Sequence, residues 1–386
     1  MERKSKKRGN NEGSIWQRAD GRWAAGVTLE NGTRKSYYGK SREEVAKKLA
    51  SALKAHQDGL PLAPEKQTVA AFLPEWLESA KPGLKPRTID DYDTVVRLHL
   101  VPTLGKVRLV RLTPQHVQAL MASKLKDGLS PRRVQIIQVV LHRALRQAEQ
   151  WGLVSRNVAS LVDRPKVHRH EIEPLTPEDA RKLLDSLKGD RLEALYSVAL
   201  AVGLRRGEAL GLRWKDIDLE AKHPSLRVTQ ALQRYGGSLH LDEPKTERSR
   251  RTIVLPQVVV NALRRHMVRQ LEERLKLGPA WNDAGLVFTT MIGTPLEPRN
   301  VLRHFKAALV TAEIEEKRFH DLRHTSASLL LAQGVAPRVV MEILGHGSIG
   351  ITMDIYSHVM PALERDAAAK MDDALTATVL AQQVRG

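Results

Sequence analysis

The chain has 386 residues, of which 42% are hydrophobic and 27% charged, so it can bury real cores and is neither disordered nor fibrous. At about 150 residues per domain, this length predicts two to three domains. The 62 lysines and arginines outnumber the 44 aspartates and glutamates, which gives a formal net charge of +18. Such an excess of positive charge is typical of proteins with a polyanionic partner.

The sequence contains no cysteine, which excludes disulfides, thiolate zinc sites, iron–sulfur clusters and a cysteine nucleophile. No apolar run reaches the roughly 18 residues of a membrane span, and the start of the chain does not resemble an export signal, so we expect a cytoplasmic protein. The positive charge is spread along the chain, which favours nucleic acid over a membrane surface. Because aromatic residues make up only 4%, we expect duplex DNA and not stacked single strands.

A small antiparallel sheet is predicted near the start of the chain. Hydrophobic alternation over residues 13–40, with Asp-Gly at 20–21 and Asn-Gly at 31–32 where tight hairpin turns belong, predicts three short strands. Ser41 is predicted to cap a helix that follows the sheet. Residues 1–60 therefore form the first predicted domain.

The next stretch has a helical pattern throughout. Three of its predicted helices begin with proline near the first position, where the missing N–H costs nothing. The predicted helices are residues 69–79, 86–100, 114–126 and 131–151. We expect residues 67–162 to form an all-helical second domain, which is followed by a polar linker at 163–174.

The last predicted domain, residues 175–386, is mainly helical and contains a small β-meander. Its predicted strands are residues 226–232, 239–242 and 251–255, and its predicted helices are residues 177–187, 192–202, 257–275, 298–312, 320–333, 337–344 and 361–375. The expected fold class is therefore α+β multidomain: a three-stranded sheet plus helix, then an all-α bundle, then a mainly α domain with an antiparallel meander.

Short strings in this last domain carry side chains suited to chemistry on phosphate. They are Gly-Leu-Arg-Arg-Gly-Glu-Ala-Leu at 203–210, Pro-Lys-Thr at 244–246, His-Asp-Leu-Arg-His at 320–324, Leu-Gly-His at 344–346, and a tyrosine at 356. Two arginine forks on one phosphate can offset the charge that develops in a pentacoordinate transition state. Lysine and histidine can move protons. A tyrosine hydroxyl can attack phosphorus and form a covalent ester.

In this combination and order, the strings resemble the tyrosine recombinase (phage integrase) family, whose catalytic set is Arg, Lys, His-x-x-Arg, His or Trp, and Tyr. The matching residues are Arg205, Lys245, His320, Arg323, His346 and Tyr356. The resemblance implies that the two arginines hold the non-bridging oxygens, that His320 is the base, and that Lys245 protonates the leaving 5′-oxygen. It also implies that His346 bonds the phosphate and that Tyr356 is the nucleophile.

The same resemblance implies site-specific recombination that integrates or excises a mobile element through a 3′-phosphotyrosine and a Holliday junction, with no metal, ATP or other cofactor. The implied partners are double-stranded DNA with core and arm attachment sites, three further copies of the chain in a homotetramer, a host DNA-bending protein and an excision directionality factor. The implied domains are an arm-type DNA-binding domain, a core-binding SAM-like domain and a catalytic domain with a C-terminal tail. In the first of these, the expected DNA contacts are Arg22, Arg34 and Lys35.

Other functions stay open at this point. A transposase of a conjugative element would use the same chemistry, and a type IB topoisomerase would use similar chemistry without choosing a site. A regulator would bind through a helix-turn-helix over 326–344 without cutting DNA, but it would leave the arginine, histidine and tyrosine set unexplained. A zinc-protease site at 320–324 is disfavoured, because Asp321 is shorter than the required glutamate and Arg323 would repel a cation.

Overall fold

The structure is a computed structural model that describes residues 13–28, 34–57, 66–167, 173–243 and 250–345, together with 350, 368–369, 371–372 and 375. The chain divides into two compact units, Met1–Arg169 and His170–Gly386. Over the described residues, no helix is long and apolar enough to cross a membrane.

The first unit opens with the predicted antiparallel sheet and its helix. The elements are β1 (Ser14–Gln17), β2 (Trp23–Thr28), β3 (Arg34–Gly39) and α1 (Arg42–Gln57), with the strands in the order β1-β2-β3. The helix packs on the sheet through Val45 and Leu49, which are buried against Val27. The Ser41 hydroxyl accepts the Glu44 N–H at 3.2 Å, so the predicted helix cap is confirmed.

The first hairpin turn is longer than the sequence predicts. Five residues, Arg18 to Arg22, connect β1 to β2, and the Arg18 N–H donates to the Arg22 carbonyl at 2.8 Å. Gly21 has a φ of 77° within this loop, a left-handed value that favours glycine. The five-residue loop therefore accounts for the glycine, and a two-residue turn is not required. The predicted turn at 31–32 lies outside the described residues.

The rest of the first unit is a helical bundle. Its helices are α2 (Val69–Ala80), α3 (Pro86–Val95), α4 (Val101–Leu104), α5 (Pro114–Lys126) and α6 (Pro131–Gln150), with a π-helical turn at Val96–Leu100 that joins α3 to α4. The side chains of Thr68, Thr113 and Ser130 cap α2, α5 and α6. The bundle core includes Phe72 and Trp76 of α2 and Ile137 of α6, all almost fully buried.

In the described part of the second unit, helices and two small antiparallel sheets surround a large hydrophobic core. Its helices are α7 (Pro177–Ser186), α8 (Glu193–Ala201), α9 (Arg206–Leu210), α10 (Gln257–Leu277), α11 (Pro298–Thr311), α12 (Asp321–Ala332) and α13 (Pro337–Leu344). Its strands are β4 (Ile217–Asp218), β5 (Ser225–Val228), β6 (Ala231–Tyr235), β7 (Ser238–Asp242) and β8 (Arg251–Val254). The mainly α fold with small antiparallel sheets is the predicted one.

The predicted strand at 226–232 is in fact two strands in two different sheets. β5 pairs with β4 and β8, whereas β6 pairs with β7. The break falls at Thr229 and Gln230, whose side chains bond Asp216 and the Gly211 carbonyl. A tight two-residue turn joins β6 to β7, since Tyr235 pairs with Ser238 and the intervening Gly236 and Gly237 have φ values of 56° and 79°.

Candidate active site

Arg323 lies in the first turn of α12 and is almost fully buried, with 2% of its surface exposed. Its Nη1 donates to the Gly203 carbonyl at 2.7 Å, and its Nη2 donates to the Leu344 carbonyl at 2.6 Å. The guanidinium therefore links the segment before α9 to the C-terminal end of α13. Burial, together with the nearby positive charge of Arg205, lowers the pKa of Arg323 to about 9.

Arg205 immediately precedes α9 and lies beside Arg323. Its Nη2 donates to the Gly345 carbonyl at 3.1 Å, so the two arginines bind adjacent carbonyls at the end of α13. The Arg205 side chain is 39% exposed. Each guanidinium has five N–H donors, so these bonds leave donors on both arginines for an anion. Carbonyls at a helix C-terminus carry partial negative charge, which stabilises the two neighbouring cations.

A buried carboxylate, Glu208, balances part of this positive charge. Its Oε1 accepts from Arg205 at 2.6 Å, and its Oε2 accepts from Arg251 at 3.0 Å. Burial alone would raise the pKa of Glu208, but the guanidiniums of Arg251 and Arg205 lower it below its ordinary value. Glu208 is therefore ionised at neutral pH.

His320 directly precedes α12, and its ring is partly open to solvent. The His324 ring lies perpendicular to it, with the ring centroids 4.9 Å apart. Partial burial, together with the neighbouring His324, Arg323 and Arg205, lowers the pKa of His320 to about 4. The imidazole is consequently neutral at physiological pH and able to accept a proton.

The zinc alternative requires Asp321 to be available as a general base. Instead, Asp321 accepts from the Arg318 side chain at 2.8 Å and from the Arg318 N–H at 2.7 Å. Burial would raise the pKa of Asp321, but these bonds lower it. The described part of the chain contains no group of three histidine, aspartate or glutamate side chains that could hold a metal ion.

Comparisons with known proteins identify the family of the chain. A phage integrase family model matches residues 173–362, and a model of the phage integrase N-terminal SAM-like domain matches residues 68–125. A tyrosine recombinase XerC-like protein of Caldanaerobacter subterraneus subsp. tengcongensis is 32% identical over 370 residues, which cover 89% of this chain and 93% of that protein. The chain belongs to the phage integrase family. It is a tyrosine recombinase, a DNA-binding enzyme that breaks and rejoins DNA.

Other members and solved structures place this recombinase among site-specific integrases of phages and mobile elements. An integrase of Streptomyces ambofaciens is 31% identical, over 95% of this chain and 97% of that protein. The Tn1549 transposon integrase in complex with transposon right end DNA has a TM-score of 0.65 and 22% identity, over 78% of this chain and 100% of that chain. A lambda integrase dimer bound to a COC′ core site has a TM-score of 0.55 and 17% identity, over 91% of this chain and 96% of that chain. At these identities the solved structures show a common fold.

Of the six residues that the sequence predicts for the recombinase site, the structure brings three together: Arg205, His320 and Arg323. The other three are Lys245, His346 and Tyr356, which lie outside the described residues, so their placement stays a prediction. In sequence, the predicted His346 directly follows the residue whose carbonyl binds Arg205.

The predicted DNA contacts of the first domain also remain predictions. Arg22 and Arg34 are exposed, and the Arg34 guanidinium lies 5.3 Å from the centre of the Trp16 ring. Lys35 lies on β3 opposite Val27, and its side chain is outside the described residues.

Sequence reasoning missed Glu208 and Arg251 as members of the site. Glu208 was visible in principle, because a glutamate three residues after the arginine that precedes a helix is the second half of a capping box. The Glu208 carboxylate indeed accepts the Arg205 N–H at 3.1 Å. Arg251 carried no such signal, since it follows another arginine at the start of a strand.

Close packing at Gly203 gives a stability prediction. Gly203 has a φ of 68°, and a Cβ built there would lie 2.3 Å from Leu344 Cδ2. We expect Gly203→Ala to lower the free energy of unfolding by about 2–5 kcal/mol, as left-handed strain adds to overpacking. Urea unfolding of the full chain measures this loss. The control is Gly189→Ala, because Gly189 has a φ of 78° and nothing within 4 Å of a built Cβ. Equal losses in the two variants would contradict the proposed clash.

Proposed function

We propose that this recombinase holds a scissile DNA phosphate on Arg205 and Arg323 and transfers it to Tyr356. The observation that supports this role is the fixing of two guanidiniums on the adjacent carbonyls of Leu344 and Gly345, next to a neutral His320. Two preorganised cations lower the energy of the charge that develops on phosphorus without reorganising during the reaction.

In the proposed first step, the Tyr356 oxygen bonds to phosphorus and the bond from phosphorus to the 5′-oxygen breaks. A free tyrosine has a pKa near 10, so attack at neutral pH requires a base, and we assign the hydroxyl proton to His320. Lys245 gives a proton to the leaving 5′-oxygen, and His346 bonds the phosphate. The product is a 3′-phosphotyrosine with a free 5′-hydroxyl.

In the second step, a 5′-hydroxyl of the partner duplex attacks the 3′-phosphotyrosine and releases the tyrosine. The ester keeps the energy of the broken phosphodiester, so the two steps balance without ATP. No step in this sequence calls for a metal ion, since the arginines supply the positive charge.

The low pKa of His320 predicts an unusual pH dependence. Because the free-enzyme pKa is about 4, the second-order cleavage rate should stay level from about pH 8 to about pH 5 and fall only below that range. A bound phosphate anion raises the pKa of a nearby histidine, so the rate at saturating DNA should begin to fall at a higher pH. Single-turnover profiles under both conditions measure this difference, with His320→Gln as the control that loses the dependence. A second-order rate that already falls below about pH 7 would show that His320 titrates normally.

We also propose a three-domain assembly on DNA. Residues 1–60 would bind arm-type sites, with Arg22, Arg34 and Lys35 as contacts, residues 67–162 would bind core sites, and residues 175–386 would cut. A lambda integrase tetramer has been solved bound to a Holliday junction, with a TM-score of 0.55 to this chain. By analogy we propose a homotetramer here, aided by a host DNA-bending protein and an excision directionality factor in a bacterial cytoplasm.

The test is to trap the covalent intermediate. The protein is mixed in EDTA with fragments of candidate host and mobile-element DNA, the reaction is stopped with detergent, and the attached DNA is sequenced. We expect adducts whose ends map to one short sequence. Tight binding to such fragments without any adduct would overturn the proposed chemistry, and adducts spread over unrelated sequences would indicate a topoisomerase-like enzyme without site choice.

A further inference from the structure

Three arginines bind three successive carbonyls at the C-terminal end of α13. Arg323 and Arg205 bind those of residues 344 and 345, as described above, and the Arg251 Nε donates to the Ile343 carbonyl at 2.6 Å. The last carbonyls of a helix have no partner within the helix, so each of them needs an external donor. For the carbonyls of residues 343 to 345, the donors found among the described residues are guanidiniums, and each comes from a different element.

Arg251 is the member of this set that the family's catalytic pattern does not place on the phosphate. Its side chain is 7% exposed, whereas that of Arg205 is 39% exposed. Arg251 begins β8, where it pairs with Val228 of β5, so its backbone is held in a sheet. Because the Arg251 backbone is fixed in the sheet, its guanidinium is held where it contacts both the end of α13 and the buried Glu208.

The contact with Glu208 connects Arg251 to Arg205. One oxygen of the carboxylate binds Arg251 and the other binds Arg205. A buried carboxylate must be neutralised, and without Arg251 the nearest remaining cation is Arg205. Arg205, which already donates to Glu208 at 2.6 Å, would then neutralise the carboxylate alone and would offer less positive charge to a phosphate.

We propose that Arg251 is a positioning residue for the cleavage reaction. It shares the negative charge of Glu208 with Arg205 and holds the end of α13, so that Arg205 keeps positive charge for the scissile phosphate. This inference rests on the proposed role of Arg205. Arg251 therefore acts on the transition state through Arg205 and does not contact the DNA.

The experiment compares Arg251→Gln, Arg205→Gln and the double variant in single-turnover cleavage of a half-site duplex that carries the sequence trapped by the wild-type protein. Arg251→Gln should slow cleavage about 10- to 100-fold, the range for residues that orient a reacting group. If Arg251 acts through Arg205, adding Arg251→Gln to Arg205→Gln should cost less than about threefold more, because the two effects are then not additive. Binding of the duplex is measured separately and should be unchanged.

A DNA substrate with an uncharged scissile linkage distinguishes a loss of positioning by Arg251 from general damage to the protein structure. When a methylphosphonate replaces the scissile phosphate, one negative charge is removed and stabilisation by arginine matters less. The defect of Arg251→Gln should then shrink at least about tenfold. The matched control is Arg264→Gln, since Arg264 also binds one carboxylate and one carbonyl, those of Glu220 and Leu219, but on the exposed side of α10. This control should cleave like the wild type.

The other possible results would overturn either the positioning role of Arg251 or the proposed function. Equal defects on both linkages, or additive losses in the double variant, would overturn the positioning role while leaving the proposed function intact. Wild-type cleavage by Arg205→Gln would instead overturn the proposed function. If thermal melting shows that Arg251→Gln is unfolded, Arg251→Lys takes its place. A lysine cannot reach both Ile343 and Glu208 with a planar fork, so it should show the same pattern, and a wild-type rate would overturn the inference.

Discussion

Tyr356→Phe is expected to abolish the covalent DNA adduct, with a loss of at least about 10⁴-fold in cleavage, while DNA affinity stays within about twofold. The substitution removes a single hydroxyl, so the loss would identify the attacking atom. The sequence holds no cysteine that could replace it as the nucleophile. Detergent-resistant adducts on radiolabelled duplex measure cleavage, and a filter-binding titration measures affinity.

A second tyrosine in the same unit provides the matched control for this experiment. Tyr235 lies on β6, and its hydroxyl donates to Asp242 at 3.2 Å. Tyr235→Phe removes the same hydroxyl from the same kind of side chain, and we expect it to form adducts at the wild-type rate. An adduct that persists in Tyr356→Phe would show that another residue attacks, and peptide mapping of the linked DNA would then identify it.

Helix boundaries were predictable because their determinants lie within a few residues. The pairs Thr113-Pro114 and Ser130-Pro131 specify a cap followed by a first helical residue, and α5 and α6 begin at the predicted positions. The break between β5 and β6 could not be predicted in this way. It depends on hydrogen bonds from Thr229 and Gln230 to residues more than ten positions earlier in the chain.

The candidate site shows the same division between local and distant determinants. A motif gives residue types and order, which suffices to select Arg205 and Arg323. It does not show that the carbonyls which fix both of them come from the end of α13, because the contact from Arg205 to Gly345 spans 140 positions. The buried Glu208 and Arg251 share this property, since the importance of each depends on a partner that only the fold brings close.

Arg323 should be the most sensitive of the described residues, because it serves both the fold and the reaction. Arg323→Gln leaves the carbonyls of Gly203 and Leu344 without their donors, and each unsatisfied buried group costs about 1–3 kcal/mol. We therefore expect a lower melting temperature as well as a cleavage rate reduced on the order of 100- to 1,000-fold, the loss typical of a preorganised donor.

Arg323→Lys separates the two contributions. Lysine keeps the positive charge, but its single ammonium cannot reproduce a planar fork that bridges two carbonyls and still faces a phosphate. Its stability should therefore recover more than its activity, as judged by thermal melting and single-turnover cleavage of the full chain. Arg274→Lys, on an exposed arginine of α10 that pairs with Asp283 at 3.1 Å, should leave both measurements unchanged. If Arg323→Lys cleaved within about threefold of wild type, charge alone would suffice and the bidentate role of Arg323 would have to be abandoned.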